Sequence, residues 1–172
     1  RNGTTWIAEE HGVSILSNDN APAFNALIAK MKVGDRLEIL PLRYKTASVI
    51  VINKSITVTA KSNRNQTTGA IIECASDGVV FSSPWVKWSG ISLIGQYTTT
   101  VLNPSAKVFG SVGMRHEYSA SGTSSGVIVE DCFVTYFDTN VVESQEAGQA
   151  WAGAYREYYN VFLRYGRINL AM

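Results

Sequence analysis

Five carboxylates near the C-terminal end of the chain have the chemistry of a general acid, a base or a nucleophile. A glycosidase needs two such groups, about 5–5.5 Å apart for retention of configuration or about 6.5–9.5 Å for inversion. If the apolar residues of segment 127–134 point into a core, Glu130 and Asp131 fall at a turn between strands. Carboxylates at such turns are commonly just solvated. A catalytic pair drawn from the five is a hypothesis that leaves the choice of the two open. The five are Glu130, Asp131, Asp138, Glu143 and Glu146.

The densest polar cluster of the chain is Arg115-His116-Glu117-Tyr118. Abstraction of a proton next to a uronate carboxylate uses a base and a group that neutralises the carboxylate charge. This segment supplies both types, which makes Arg115 and His116 candidate substrate-binding residues. Because adjacent side chains seldom all face one ligand, an exposed loop or a contact between subunits is the competing interpretation.

Aromatic residues concentrate in the same region and could bind sugar. Rings stack on the apolar faces of sugars, and Tyr and Trp add a polar group. Burial between subunits favours the same residue types and is the alternative explanation. Trp88, by contrast, lies inside a strand-like run and is expected in the core. The candidate substrate-binding aromatics are Tyr136, Trp151, Tyr155 and Tyr158, with Phe137 and Tyr159 beside them.

Composition narrows the class of protein. The chain has 172 residues, of which 45% are hydrophobic and 17% charged, a globular composition with enough material for one core. The net charge of +1 gives no electrostatic case for nucleic acid or an anionic membrane. No apolar run reaches the length of about 18 residues that spans a bilayer. No phosphate loop, nucleophile elbow or zinc-type His pair occurs, so we expect neither a metal nor a cofactor.

Two further features concern the state of the cysteines and the expected length of the whole protein. Cys74 and Cys132 lie far apart inside apolar runs, so we expect buried free thiols rather than a disulfide. The chain begins at Arg1 and runs in a strand-like pattern up to Met172, which leads us to expect a piece of a longer protein.

The hydrophobic pattern predicts one short N-terminal helix after a mixed lead-in over residues 1–18. Pro22 suits a first helical turn, and Gly34 is placed to end the helix. The predicted helix spans 21–32 and has one apolar face, formed by Phe24, Leu27, Ile28 and Met31.

After Gly34 the apolar period changes to two, which predicts short strands over the rest of residues 19–172. The segment 96–125 is rich in Ser, Thr and Gly, and we predict a long inserted loop there, of a length that is often functional. Beyond it, we take Val127, Val129, Cys132 and Val134 to point inward, which places Glu130 and Asp131 at a turn between two strands of one coil.

Internal similarity favours stacked parallel strands. The segments 131–138 and 159–166 share a pattern, and aligning their first residues puts Asn160 at the position of Cys132. The segments 55–58 and 90–93 also match. The two matches differ in spacing, which fits coils of one unit with inserted loops. A sandwich would need tight hairpin turns, and the only Asn-Gly pair, Asn2-Gly3, lies outside the strand region.

Two stretches carry a resemblance to a known family. Asp19-Asn-Ala-Pro-Ala-Phe24 and Leu37-Glu-Ile-Leu-Pro41, followed by strand-like coils, resemble the start of the β-helix in bacteriophage tailspikes, which are pectate-lyase-like right-handed parallel β-helices. Family members usually have Gly before the Tyr of the turn that follows, whereas this chain has Leu42-Arg43-Tyr44. The resemblance covers residues 13–172.

The resemblance implies an all-β, right-handed parallel β-helix and a place in the virion tail, outside the host cell. Such proteins are homotrimers that contact other tail proteins, and they bind and often cleave bacterial surface polysaccharide, either capsule or O-antigen. An active chain would be a polysaccharide depolymerase, acting as an endo-glycosidase or a lyase. The alternatives are a non-catalytic receptor-binding or structural β-helix segment, and a secreted bacterial polysaccharide lyase.

Overall fold

The computed structural model describes residues 3–61, 69–96, 111–117, 126–143, 156–166 and 168–171. The prediction of a mainly β protein with one short helix is confirmed, and the parallel strands form a curled, half-barrel arrangement. No helix in the described part of the chain is long and apolar enough to cross a membrane.

Fourteen strands and one α-helix make up the regular structure of the described residues, together with a 3₁₀ helix at Ala8–His11. The α-helix, α1, spans Ala21–Lys30. The strands are β1 (Thr5–Ile7), β2 (Arg36–Ile39), β3 (Arg43–Thr46), β4 (Ile50–Ile52), β5 (Thr57–Ala60), β6 (Ala70–Cys74), β7 (Val79–Phe81), β8 (Lys87–Ser89), β9 (Ile91–Ile94), β10 (Val112–His116), β11 (Val127–Thr135), β12 (Thr139–Glu143), β13 (Arg156–Arg164) and β14 (Ile168–Ala171).

All the strand pairings in these described ranges are parallel, and they arrange the strands in three columns. The first column holds β1, β2, β5, β8 and the N-terminal halves of β11 and β13. The second holds β3, β6, β9 and the C-terminal halves of β11 and β13, and the third holds β4, β7, β10, β12 and β14. One passage of the chain through the three columns is called a coil below.

The columns enclose one apolar core. Along β11, Val127, Val129, Cys132 and Val134 are all buried, in agreement with the inward positions taken from the sequence. Trp88 is also buried, and its indole nitrogen donates to the Ile91 carbonyl at 2.8 Å, so the core position predicted for it is confirmed. Repeated inward burial from coil to coil is the main stabilising interaction that this architecture offers.

Both cysteines are free and buried, as the sequence predicted. Burial in apolar surroundings disfavours the charged thiolate. It raises the pKa of Cys74 to about 12 and the pKa of Cys132 further still.

The strands of the first and second columns are joined by a bend at residues with left-handed backbone. Gly90, Asp131 and Asn160 have φ angles of 69°, 55° and 52°. Ser89 pairs with Glu130 and Glu130 with Tyr159, so the three bend residues occupy equivalent places in successive coils. Gly and Asn or Asp are the residues that adopt this conformation at least cost.

This register corrects two predictions. Asn160 lies level with Asp131 and not with Cys132, because Cys132 pairs with Val161, and the repeat is therefore one residue longer than the predicted alignment. The match between 55–58 and 90–93 is also wrong, since β5 pairs with β8 and not with β9. The predicted place of Glu130 and Asp131, at a bend between the first-column and second-column parts of one coil, is confirmed, although β11 is continuous through the bend.

Helix α1 covers one edge of the third column. The side chain of Asn25 accepts a hydrogen bond from Val51 N–H at 2.8 Å and donates to the Val49 carbonyl at 3.0 Å, which continues the ladder of β4. The helix ends two residues before the predicted boundary because Met31 adopts an extended conformation, while Gly34 makes the turn into β2.

The N-terminal segment belongs to the same sheet, since β1 pairs with β2. Buried Asp35 fixes the junction. Its carboxylate accepts hydrogen bonds from Thr4 N–H at 2.8 Å, from the Trp6 indole at 2.9 Å and from Lys32 N–H at 2.8 Å. These donors lower the pKa of Asp35, with the Lys32 amide as the largest cause.

The prediction of an uninterrupted loop over 96–125 is wrong at Val112–His116, which forms β10 and pairs with both β7 and β12. Its inward positions are Val112, Met114 and His116, all buried. The segment forms a strand because it pairs with a neighbour on each side, although its weak hydrophobic pattern did not predict one.

Candidate functional site

Tyr136, one of the predicted substrate-binding aromatics, lies on the outer surface of the second column. It directly follows Thr135, which pairs with Arg164, so Tyr165 occupies the equivalent place in the next coil. The two rings stack with centroids 4.8 Å apart and planes 16° from parallel. They are exposed, at 39% for Tyr136 and 54% for Tyr165.

A second pair of rings lies on the outer side of the same two strands. Phe133 pairs with Phe162, and their ring centroids are 5.5 Å apart. The Arg164 guanidinium lies over the Phe162 ring at 5.5 Å from its centroid. We call the five residues Phe133, Tyr136, Phe162, Arg164 and Tyr165 the aromatic platform.

The coil that precedes the platform, formed by β8, β9 and β10, has small residues at the positions where the platform has large ones. Ser92, one coil before Phe133, is buried, and its hydroxyl accepts a hydrogen bond from Phe133 N–H at 2.9 Å. A Cβ added at Gly95, the position before Tyr136 in the column, would collide with the Tyr136 carbonyl oxygen and lie 2.8 Å from the Phe137 ring. The platform therefore begins in the coil formed by β11 and β12 and extends through the next coil, formed by β13 and β14.

The side chains of the aromatic platform are suited to binding a ligand that has both apolar faces and polar edges. Each ring pair presents apolar surface at the outside of the molecule, and large exposed apolar patches mark interaction sites. The faces of Tyr and Phe rings suit the C–H groups of a pyranose, while the tyrosine hydroxyls and the guanidinium supply hydrogen bonds for sugar oxygens. Those are the requirements for holding a carbohydrate.

The other predicted binding residues lie elsewhere. His116 is fully buried, its Nε2 lies 3.0 Å from the Tyr158 hydroxyl, and its ring contacts Phe81. Arg115 points to the opposite face and forms an ion pair with Asp77 at 3.4 Å. Strand alternation thus separates Arg115 from His116, and no lyase cluster of these two residues is assembled. Tyr118, Trp151 and Tyr155 lie outside the described residues.

The candidate catalytic carboxylates are also distributed. Glu130, on the outer face of the first column, contacts Lys87 Nζ at 2.8 Å and accepts a hydrogen bond from the Ser89 hydroxyl at 2.9 Å. Asp131, at the bend, accepts a hydrogen bond from the Asn160 side chain at 2.9 Å. Asp138 is only 3% exposed.

Two candidates can be placed only in part or not at all. Glu143 lies in β12, and its backbone pairs with His116. Glu146 lies outside the described residues.

Sequence reasoning missed Tyr165, Phe162, Arg164 and Phe133. The signal that could have found them is the equal spacing of two ring pairs, because Phe133 precedes Phe162 by the same interval as Tyr136 precedes Tyr165. An alignment that is one residue too short puts Tyr136 opposite Arg164 instead, which hides the ring pairs.

The inner side of the last coil forms an apolar hollow of about 150 Å³, lined by Tyr158, Val161, Leu163 and Leu170. Its lining offers one hydroxyl and otherwise hydrocarbon. Among the described residues, no group of three or more His, Cys, Asp or Glu side chains could hold a metal ion.

No protein-family model, curated protein sequence or solved structure matches this chain. The case for a function therefore rests on the aromatic platform and on the parallel columns that position it.

Proposed function

We propose that this chain is a receptor-binding segment of a bacteriophage tailspike and that it binds bacterial surface polysaccharide, capsule or O-antigen, on the aromatic platform. The observation that carries the proposal is the exposed stack of Tyr136 on Tyr165. Two large rings in solvent gain the burial of their apolar faces when they accept a sugar.

The fold that we propose for the chain is a right-handed parallel β-helix. In support, strand pairing in the described residues is parallel throughout, and every column gains one strand per coil. Parallel strands need crossover connections, and those connections are right-handed in nearly all proteins. A stack of this kind presents similar side chains at a regular interval, which suits a polymer that repeats.

The polar groups around the rings fit a saccharide better than an apolar peptide. Arg164 and the two tyrosine hydroxyls are hydrogen-bond donors, and they border rings that a pyranose can cover. A guanidinium over a ring is partly desolvated while its N–H groups still point outward, so it can donate to sugar hydroxyl or carboxylate oxygens.

The proposal is for binding rather than cleavage. Glu130 is engaged with Lys87, and Asp131 with Asn160. Asp138 is buried. If its acid and base came from the five predicted carboxylates, a depolymerase would have to use Glu143 and Glu146 or release one of the engaged or buried carboxylates.

The test is a binding survey against purified bacterial capsule and O-antigen polymers immobilised on a surface. We expect saturable binding to a small subset of polymers and no release of reducing ends or of unsaturated sugar products. Saturable binding to none of them would refute the proposal. Efficient release of unsaturated products from a plant or bacterial polyuronate would instead favour a secreted lyase.

The proposed quaternary state and location need their own measurements. We expect a homotrimer by light scattering and labelling of virion tails, beside other tail proteins, by antibodies raised against this chain. A monomeric mass at micromolar concentration would count against the virion tail.

A further inference from the structure

Trp85 combines exposure with a strained backbone. The residue is 69% exposed, and its φ angle is 55°. A bulky residue in left-handed conformation is uncommon, and strain of this kind concentrates at binding sites, where the surrounding structure maintains it.

The indole of Trp85 rests on the next coil. Lys87 pairs with Ile128, so Trp85 and Gly126 lie at equivalent positions, each two residues before its paired strand residue. Gly126 also has left-handed backbone, with φ of 77°. A Cβ at Gly126 would collide with Cε3 of the indole. Only glycine therefore lets the indole lie against the main chain.

Polar groups continue from Trp85 along the outer face of the first column. Lys87 and Glu130 form their ion pair there, and the Ser89 hydroxyl donates to the same carboxylate. Tyr159 pairs with Glu130 in the next coil, is exposed, and donates its hydroxyl hydrogen bond to Glu157. An exposed indole beside a row of donors and acceptors is the composition of a sugar subsite rather than of an apolar docking patch.

We propose that Trp85 forms the floor of a second carbohydrate subsite, which binds the apolar face of a hexopyranose ring while Lys87 and Glu130 contact its hydroxyls. This inference rests on the proposed function and extends it to a second surface. The subsite lies on the first column, across the bend of Gly90, Asp131 and Asn160 from the aromatic platform on the second column.

The proposal explains why a strained tryptophan is held in place. A flexible exposed indole would lose conformational freedom when it stacks on a sugar, whereas an indole already fixed against Gly126 loses little. The strain is then the cost of preorganisation.

The test uses the indole N–H signals of protein labelled with ¹⁵N at its four tryptophans, with short oligosaccharides made by partial hydrolysis of capsule and O-antigen polymers as the probe. The Trp85→Phe variant identifies the Trp85 signal. We expect that signal to shift on titration and to do so also in Tyr136→Gly/Tyr165→Gly. Trp85→Ala should weaken polymer binding about three- to tenfold, the range of a single aromatic contact.

The outcomes separate this inference from the proposed function. A platform that binds oligosaccharide while the Trp85 signal stays unchanged overturns the subsite alone. A Trp85 shift that disappears when the platform is removed also overturns it, because the shift is then indirect. If no oligosaccharide perturbs either surface, the proposed function fails as well. Trp85→Phe, which keeps an aromatic ring, should retain most of the affinity and shows whether a loss in Trp85→Ala reflects unfolding.

Discussion

Tyr136 and Tyr165 stack at a centroid distance of 4.8 Å, which is the distance between neighbouring strands of a β-sheet. The coincidence has a simple cause. Both tyrosines have left-handed backbone, with φ of 61° and 57°, and they occupy equivalent places in adjacent coils. Similar backbone conformations repeated at the strand spacing place the two rings in register, and their planes lie 16° from parallel. The columns thus convert a sequence repeat into a flat apolar surface.

Replacing both tyrosines by glycine should weaken polymer binding with little effect on folding. Glycine adopts the left-handed conformation without strain, a relief of about 1–2 kcal/mol per site that offsets the loss of the ring contact. We expect polymer affinity to fall roughly tenfold or more, since each ring contributes about 0.5–1.5 kcal/mol. Biolayer interferometry on the bound polymer measures the loss.

The matched control for this experiment is Leu16→Ala, which removes an exposed apolar side chain near the start of α1. Its affinity should equal that of the unmodified protein. If the double glycine variant binds normally but loses its trimeric mass, the rings form a subunit contact and the platform is not a sugar site.

The bend residue Asp131 should tolerate substitution according to backbone conformation rather than charge. Asp131→Asn keeps both the left-handed preference and an oxygen that accepts from Asn160, so the free energy of unfolding should change little. Asp131→Val forces a β-branched residue into φ of 55° and should cost about 1–3 kcal/mol. Urea unfolding followed by circular dichroism compares them. Equal stability of the Asn and Val variants would show that the bend is not strained.

How much of this molecule follows from sequence can be judged along β11 and β13. Alternation accounts for the inward pairs Val127 and Val129 before the bend and Cys132 and Val134 after it, because a strand with one buried face repeats every second residue, and the bend at Asp131 shifts the phase by one residue. It could not fix the register between coils, since the segments that begin at 131 and 159 match nearly as well when they are aligned one residue away from the true pairing. A slip of one residue moves every outward side chain, so the pattern alone does not reveal the platform.

The strand β10 shows a second limit. Its residues Val-Gly-Met-Arg-His sit in polar, Ser- and Gly-rich surroundings, and only pairing with β7 and β12 makes them a strand. Gly113 looks like a loop residue, yet a Cβ there would lie 2.5 Å from Val134 Cγ1 and 2.6 Å from the Asn140 carbonyl oxygen. Tertiary contact overrides local preference at such positions.

The two buried thiols should not react with a disulfide reagent in the folded protein at pH 8. Burial raises the pKa of Cys74 to about 12 and that of Cys132 further, so almost no reactive thiolate is present, and the reagent has no access. In concentrated urea both thiols should titrate within minutes. Rapid reaction of one thiol in native buffer would show that the coil around it opens readily.

The Asp35 carboxylate should make stability dependent on pH in the acid range. Its folded pKa is lowered, so its contribution is fully present above the unfolded value, near 3.8, and is lost as the pH falls through the folded value. In Asp35→Asn one amide N–H₂ would meet the N–H groups of Trp6 and Lys32, leaving buried donors without an acceptor at a cost of about 1–3 kcal/mol at pH 7.

Because the native advantage disappears when the carboxylate is protonated, the difference in unfolding free energy between the native chain and Asp35→Asn should shrink below pH 4. Glu38→Gln is the control, as Glu38 has only a loose ion pair with Arg36 at 3.6 Å and should change stability by less than about 1 kcal/mol at every pH. Thermal unfolding from pH 7 down to pH 3 measures both variants. A constant difference between the native chain and Asp35→Asn across that range would mean that the charge of Asp35 does not hold β1 to the sheet.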